Sequence, residues 1–144
     1  MKHFLRREGG QALVELALTL PLLTFSLLGG ADLARAFALQ IAVENGSRAG
    51  AESYAIDSTP TNAEAQSAAI NEINRTPTAN ASSSNVTVTK AQADGVTACV
   101  SPPTVALPCY VSVRVQYPWT TIIAWPLIPN SGTFDRTTSI RTFY

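Results

Sequence analysis

Two places in this 144-residue sequence put reactive side chains where type and spacing carry meaning. The first is Glu15, a carboxylate at the start of a long apolar run. A carboxylate near mid-bilayer costs about 2.5–3.5 kcal/mol. Glu15 lies four residues past Gln11, about 6 Å along a helix. It therefore either reaches back to the membrane surface or meets a positive charge that a partner brings on assembly. The second place is the pair Cys99 and Cys109, separated by the proline-rich stretch VSPPTVALP. A redox role would want Cys-x-x-Cys, which is absent. Outside the cytoplasm such a pair closes a structural disulfide.

Other chemistry finds little to work with. His3 is the single histidine, so histidine-based triads and His/Cys metal sites are ruled out. The acids Glu44, Glu52, Asp57, Glu64, Glu72, Asp94 and Asp135 stand singly among polar positions. No phosphate-cradling glycine loop and no nucleophile elbow is present. Ten basic and ten acidic residues cancel overall, but Lys2, Arg6 and Arg7 face only Glu8 in the first ten positions. The remainder is slightly acidic and offers no basic patch for nucleic acid. Charged residues make up 14%, below the roughly 25% of an ordinary soluble domain, and Ser and Thr supply much of the polar surface. A catalytic site is not expected. A membrane-tethered enzyme would need two of the scattered acids to meet in space.

The elements that position these groups begin with a membrane-length helix. Leu16 to Ala31 carries no charge, and extension back to Ala12 gives enough residues to cross a core of roughly 30 Å. Lys2, Arg6 and Arg7 precede it, so the positive-inside rule puts the N-terminus in the cytoplasm and the rest outside. Pro21 and Gly29-Gly30 are tolerated in such a helix. Two kinds of processing fit. An ordinary signal peptide would be cut after Ala31, or after Ala38 in Ala36-Phe37-Ala38, leaving a small secreted binding module. Alternatively the cut falls before the apolar run, at Gly10–Gln11.

The second alternative coincides with a family pattern. Gly10-Gln11-Ala12-Leu13-Val14-Glu15-Leu16 resembles prepilins whose short leader ends in glycine, with Glu at the fifth mature position. The longer run GGQALVELALTLPLLTFSLLGGADLARAF, with Arg48-Ala49-Gly50-Ala51 later, is similar to the TadE-like pseudopilins of the tight-adherence (Tad) pilus system. The resemblance is sharp over residues 6–55. It implies a minor pilin anchored in the bacterial cytoplasmic membrane or carried in the fibre. A prepilin peptidase would act on Gly10 and Gln11. Other pilin and pseudopilin subunits and the assembly platform would be partners. It implies no catalytic residue, no metal, no cofactor and no nucleic acid. Glycine permits the extended strand a protease needs and raises the cost of continuing the helix backwards through Gly9-Gly10. The freed amine at Gln11 would lie one helical turn from Glu15.

The rest reads as an α+β pilin-like plan: leader 1–10, transmembrane and stalk helix 11–57, and a head over 58–144. Leu33, Phe37 and Ile41, with Ala34, Ala38 and Ala42 beside them, form an apolar stripe beyond the membrane. Gly46-x-x-x-Gly50 is a spacing for close helix packing, or simply a weak stretch. Asp57 to Pro60 ends the helix. Thr61-Asn-Ala-Glu64 reads as a capping box opening a second helix with Ala65, Ala69 and Ile73 inward. Residues 78–85 read as a loop, Val86–Thr89 as a strand, Val96–Val100 as a weaker strand, and Tyr110–Tyr117 as the clearest strand. Asn130 to Gly132 reads as a turn and Phe134–Tyr144 as a last strand. The apolar run Trp119 to Ile128 is either a buried connection or an exposed lip with Trp119 and Trp125 as anchors. Sequons at Asn45, Asn74, Asn80 and Asn85 are expected by chance in so Asn/Ser/Thr-rich a chain.

Overall fold

A computed structural model describes residues 5–57, 59–100 and 103–142, with side chains from Gly10 onward. The elements are α1 (Leu5–Ile56), α2 (Asn62–Ile73), β1 (Val86–Gln92), β2 (Cys109–Thr120) and β3 (Ser131–Thr142), with one 3-10 turn at Ser83–Asn85. The strands form an antiparallel sheet in the order β1-β2-β3. The fold is therefore α+β, with a long amino-terminal helix, a short helix and a small sheet. The chain divides into two compact units, one ending at Arg35 and one beginning at Ala36.

Within the second unit, α2 starts where the sequence places it. Thr61 Oγ1 accepts the Glu64 N–H, and the Glu64 carboxylate accepts the Thr61 N–H at 3.1 Å. This reciprocal cap satisfies two donors that a helix start leaves open. Ala65, Ala69 and Ile73 are buried. On β2 the alternation also holds: Val111, Val113 and Val115 are buried while Arg114 and Gln116 are exposed.

The stripe on α1 is corrected. Leu33, Phe37 and Ile41 are 60–62% exposed. Of the alanines beside them Ala42 is buried, while Ala34 and Ala38 are exposed; the face that packs holds Leu39, Ala42, Val43, Ser47, Gly50, Ala51 and Tyr54. Large apolar residues dominate a hydropathy pattern, but close packing here is made by small ones. A β-carbon at Gly46 would lie 2.4 Å from Ile73 Cγ1. One at Gly50 would lie 2.8 Å from the Ala65 carbonyl oxygen. The Gly-x-x-x-Gly spacing therefore brings α1 against α2 within this chain. Ser47, fully buried, donates to the Glu44 carbonyl and shares a 2.8 Å bond with the Thr138 hydroxyl on β3. That is how a polar group is buried without losing its hydrogen bonds.

Two strand assignments also change. Val96–Val100 is not a strand. Asp94 accepts the N–H groups of Val96 and Thr97, Gly95 takes φ +74°, and Gln92 N–H donates to the Thr97 carbonyl. An Asx turn thus competes successfully with the ladder. The expected turn at Asn130–Gly132 shifts as well: β3 begins at Ser131, and Gly132 pairs with Trp119. A β-carbon at Gly132 would lie 2.6 Å from Trp119 Nε1, so glycine lets the indole lie over this position and any side chain would displace it. The indole stacks on Phe134 at 5.8 Å. The last strand is described as far as Thr142; Phe143 and Tyr144 lie outside the described residues.

The apolar run of the β2–β3 connection lies largely at the surface. Ile122, Leu127 and Ile128 are exposed, and Trp119 and Trp125 are half-buried.

Candidate functional site

The candidate site is the first part of α1. The helix continues back through Gly9 and Gly10 to Leu5, beyond the expected start at Gln11. Gly10 meets no neighbour that a β-carbon would touch. Two glycines weaken a helix by about 1 kcal/mol each. That is too little to end one of 52 residues, but it lowers the cost of opening the backbone locally. Lys2 and His3 lie outside the described residues, as do the side chains of Arg6, Arg7 and Glu8.

From Gly10 the helix is bare. The large apolar side chains between Leu13 and Leu27 are 56–74% exposed. Its most apolar 18 residues are wholly unburied, and its length and composition suffice to cross a membrane. An apolar surface this continuous makes the segment a candidate membrane span. Three hydroxyls along it are hydrogen-bonded to the helix backbone. Thr19, Thr24 and Ser26 donate to the carbonyls of Glu15, Leu20 and Leu22 at 2.8–2.9 Å. Such back-bonding satisfies hydroxyls where water is missing. Pro21 sits inside the helix and brings no N–H of its own.

Charges bracket the bare segment. Glu15 stands exposed near one end, one turn after Gln11. Asp32 and Arg35 form an ion pair at 3.8 Å at the other. The seventeen steps from Glu15 to Asp32 cover about 26 Å of helix, close to a bilayer core of roughly 30 Å. Among the described residues, Glu15 forms no salt bridge.

The other singled-out residues fall elsewhere. Cys99 and Cys109 are joined by a disulfide with Cα atoms 5.5 Å apart; Ser101 and Pro102 of the enclosed loop lie outside the described residues. Most of the scattered acids are occupied structurally. Glu52 pairs with Arg48 at 2.6 Å, Glu72 with Arg75 at 2.8 Å, and Asp135 with Arg114. Glu64 caps α2, Asp57 accepts the Thr59 N–H, and Asp94 holds its turn. Hydrogen bonds from the Arg114 guanidinium hold the Asp135 carboxyl below its ordinary range, and the Thr97 hydroxyl and N–H do so for Asp94. A shallow hollow lined by Gln92, Ala93, Gly95, Tyr110, Ser112 and Ser139 contains hydroxyls and an amide but no carboxylate, thiol or imidazole.

Sequence reasoning missed Ser47 and Asn130. Ser47 carried a signal only as a small residue between two glycines. Asn130 looked like a turn residue, yet its side chain accepts the Trp125 N–H at 2.6 Å and donates to the Trp125 carbonyl.

Comparison with known proteins places the likeness on this same helix. Residues 10–52 match the family described as TadE-like protein. The match starts at Gly10 and stops short of α2, so it covers the bare segment and the part of α1 that packs in the head. No curated protein and no solved structure matches the chain.

Proposed function

We propose that this chain, a TadE-like protein over residues 10–52, is a minor pilin or pseudopilin of a Tad pilus. It is held in the membrane by the bare part of α1, cut between Gly10 and Gln11 by a prepilin peptidase, and recruited to the assembly through Glu15. The observation that carries this reading is the unburied apolar helix with one carboxylate a turn from the prospective new N-terminus. Its basic leader, Lys2, Arg6 and Arg7, would stay in the cytoplasm, and the head over 58–144 would lie outside. The role is structural, with other pilin subunits as partners, and the bond-breaking chemistry belongs to the peptidase.

The electrostatics give Glu15 its task. Cleavage turns an amide nitrogen at Gln11 into an amine with an unperturbed pKa of about 7.7–8.0. Below that pH it is positive. A carboxylate and an ammonium that must both leave water gain most by pairing. The amine of one subunit would neutralise Glu15 of its neighbour, so that packing the apolar helices and pairing the charges favour the same assembled state. Gly9-Gly10 supports the preceding step, because an extended scissile strand can be drawn out of the helix there at low cost.

The test is the intact mass of the protein purified from membranes of its own host. A chain beginning at Gln11, two hydrogens lighter for the disulfide, is the expected result. A chain beginning at Asp32 or Leu39 would instead indicate an ordinary signal peptide and a secreted module. Glu15→Ala is expected to leave the mass of the processed chain otherwise unchanged while abolishing its incorporation into pili.

A further inference from the structure

We propose that the tip of the β2–β3 hairpin, residues 118–130, is a second membrane contact that seats in the interfacial layer of the bilayer. This rests on the reading of the bare α1 segment as a membrane span.

Four observations carry it. The first is composition. Between Arg114 and Asp135 the sequence holds no charged residue. A hairpin tip facing only water gains nothing from Ile122, Leu127 and Ile128, which are 62%, 94% and 55% exposed.

The second is backbone bookkeeping. Polar backbone groups must be satisfied before a loop can leave water. Here the tip satisfies part of them internally. Thr121 N–H donates to the Asn130 carbonyl at 2.9 Å. The Asn130 side chain accepts the Trp125 N–H at 2.6 Å and donates to the Trp125 carbonyl at 3.1 Å. Pro118, Pro126 and Pro129 have no N–H to satisfy.

The third is residue type. Trp119 and Trp125 each combine a broad apolar ring with one N–H, the chemistry that favours the boundary between headgroups and acyl chains. A protein surface would also take tryptophan; the response to crowding in the vesicles separates a second copy from the bilayer.

The fourth is direction. In the second unit, Lys90 lies over the Tyr54 ring, and Lys90 pairs with Val111. Gly50 lies against Val113. Moving down α1 from Tyr54 to Gly50 thus matches moving up β2 from Val111 to Val113, so β2 runs antiparallel to this part of α1. From Val113 to Thr120 is about 23 Å of strand. From Gly50 back to Ala36 is about 21 Å of helix. Within the second unit, the hairpin tip therefore lies toward the Ala36 end of α1 rather than toward its Ile56 end.

The two tryptophans of the chain are both in this hairpin, so intrinsic fluorescence reports on the tip without labelling. The full chain would be reconstituted in phosphatidylcholine vesicles carrying bromine at shallow or deep acyl positions. Flotation with the vesicles checks the anchor independently. The expected result is a chain that floats, with emission quenched more by shallow than by deep bromine. The double substitution Leu127→Asp and Ile128→Asp should still float and lose the quenching; both side chains are exposed, so the core is untouched. A chain that floats with neither bromine quenching it overturns the proposal and leaves the anchor standing. Emission that shifts to the blue only as protein is crowded in the vesicles assigns the tip to another copy and overturns it equally. A chain that does not float removes the anchor and the proposal together.

Discussion

A β-carbon at Gly50 would meet the Ala65 carbonyl oxygen at 2.8 Å, Ala69 Cβ at 3.1 Å and Val113 Cγ1 at 3.1 Å. The nearest of these is backbone, which cannot rotate away. Gly50→Ala is therefore expected to destabilise the head by about 1–3 kcal/mol through overpacking. This would exceed the gain of about 1 kcal/mol that alanine brings to a helix interior. Chemical denaturation of the full chain in detergent, followed by tyrosine and tryptophan emission, measures it; a stabilised variant would show that α1 and α2 are not in close contact. The sequence showed the glycine pair and its spacing. It could not say whether the pair served packing or simply weakened the helix, because that depends on which surface faces it.

At the scale of elements, α1 has two unlike halves and two unlike faces. In the head its large side chains Phe37 and Ile41 point outward, while Val43 is fully buried. Removing two methyl groups at Val43 should cost about 1–3 kcal/mol in transfer and cavity energy. Phe37→Ala, a much larger deletion, should leave denaturant stability nearly unchanged. Equal effects would restore the stripe that hydropathy alone suggested. The capping box at Thr61 and the alternation on β2 were legible in sequence because each is a local pattern. The Asx turn at Asp94 was misread as a strand because Val96–Val100 has strand-forming residues, and a side chain two positions earlier captured their backbone.

For the whole molecule, the chain divides into two compact units, one ending at Arg35 and one beginning at Ala36. The head holds the disulfide, which closes a loop with a sequence separation of 10. Constraint of a loop that short contributes a little under about 3 kcal/mol in the chain-entropy model. Reduction is expected to lower the unfolding free energy of the head by that amount, and its denaturation midpoint with it. The helical signal of the apolar segment should persist, since its backbone bonds are local and its stability comes from the apolar phase around it. Far-ultraviolet circular dichroism with and without reductant in detergent reads both; simultaneous loss of all helix would show one cooperative body.

The sequence alone determined what needs only local order: the membrane-length run, the carboxylate one turn after Gln11, the capped second helix, the valine alternation of β2, and the family likeness that residues 10–52 share. Those features are set by side chains a few positions apart. The tertiary structure decided the rest. It selected the small-residue face of α1 for the core, because α2 and the sheet approach closest where there is least side chain. It left Leu33, Phe37 and Ile41 outside, and it placed the run from Trp119 to Ile128 largely at the surface, with the Thr121 and Trp125 backbones held by Asn130. Burial is a property of the surface that arrives from far along the chain, and no window of neighbouring residues contains it.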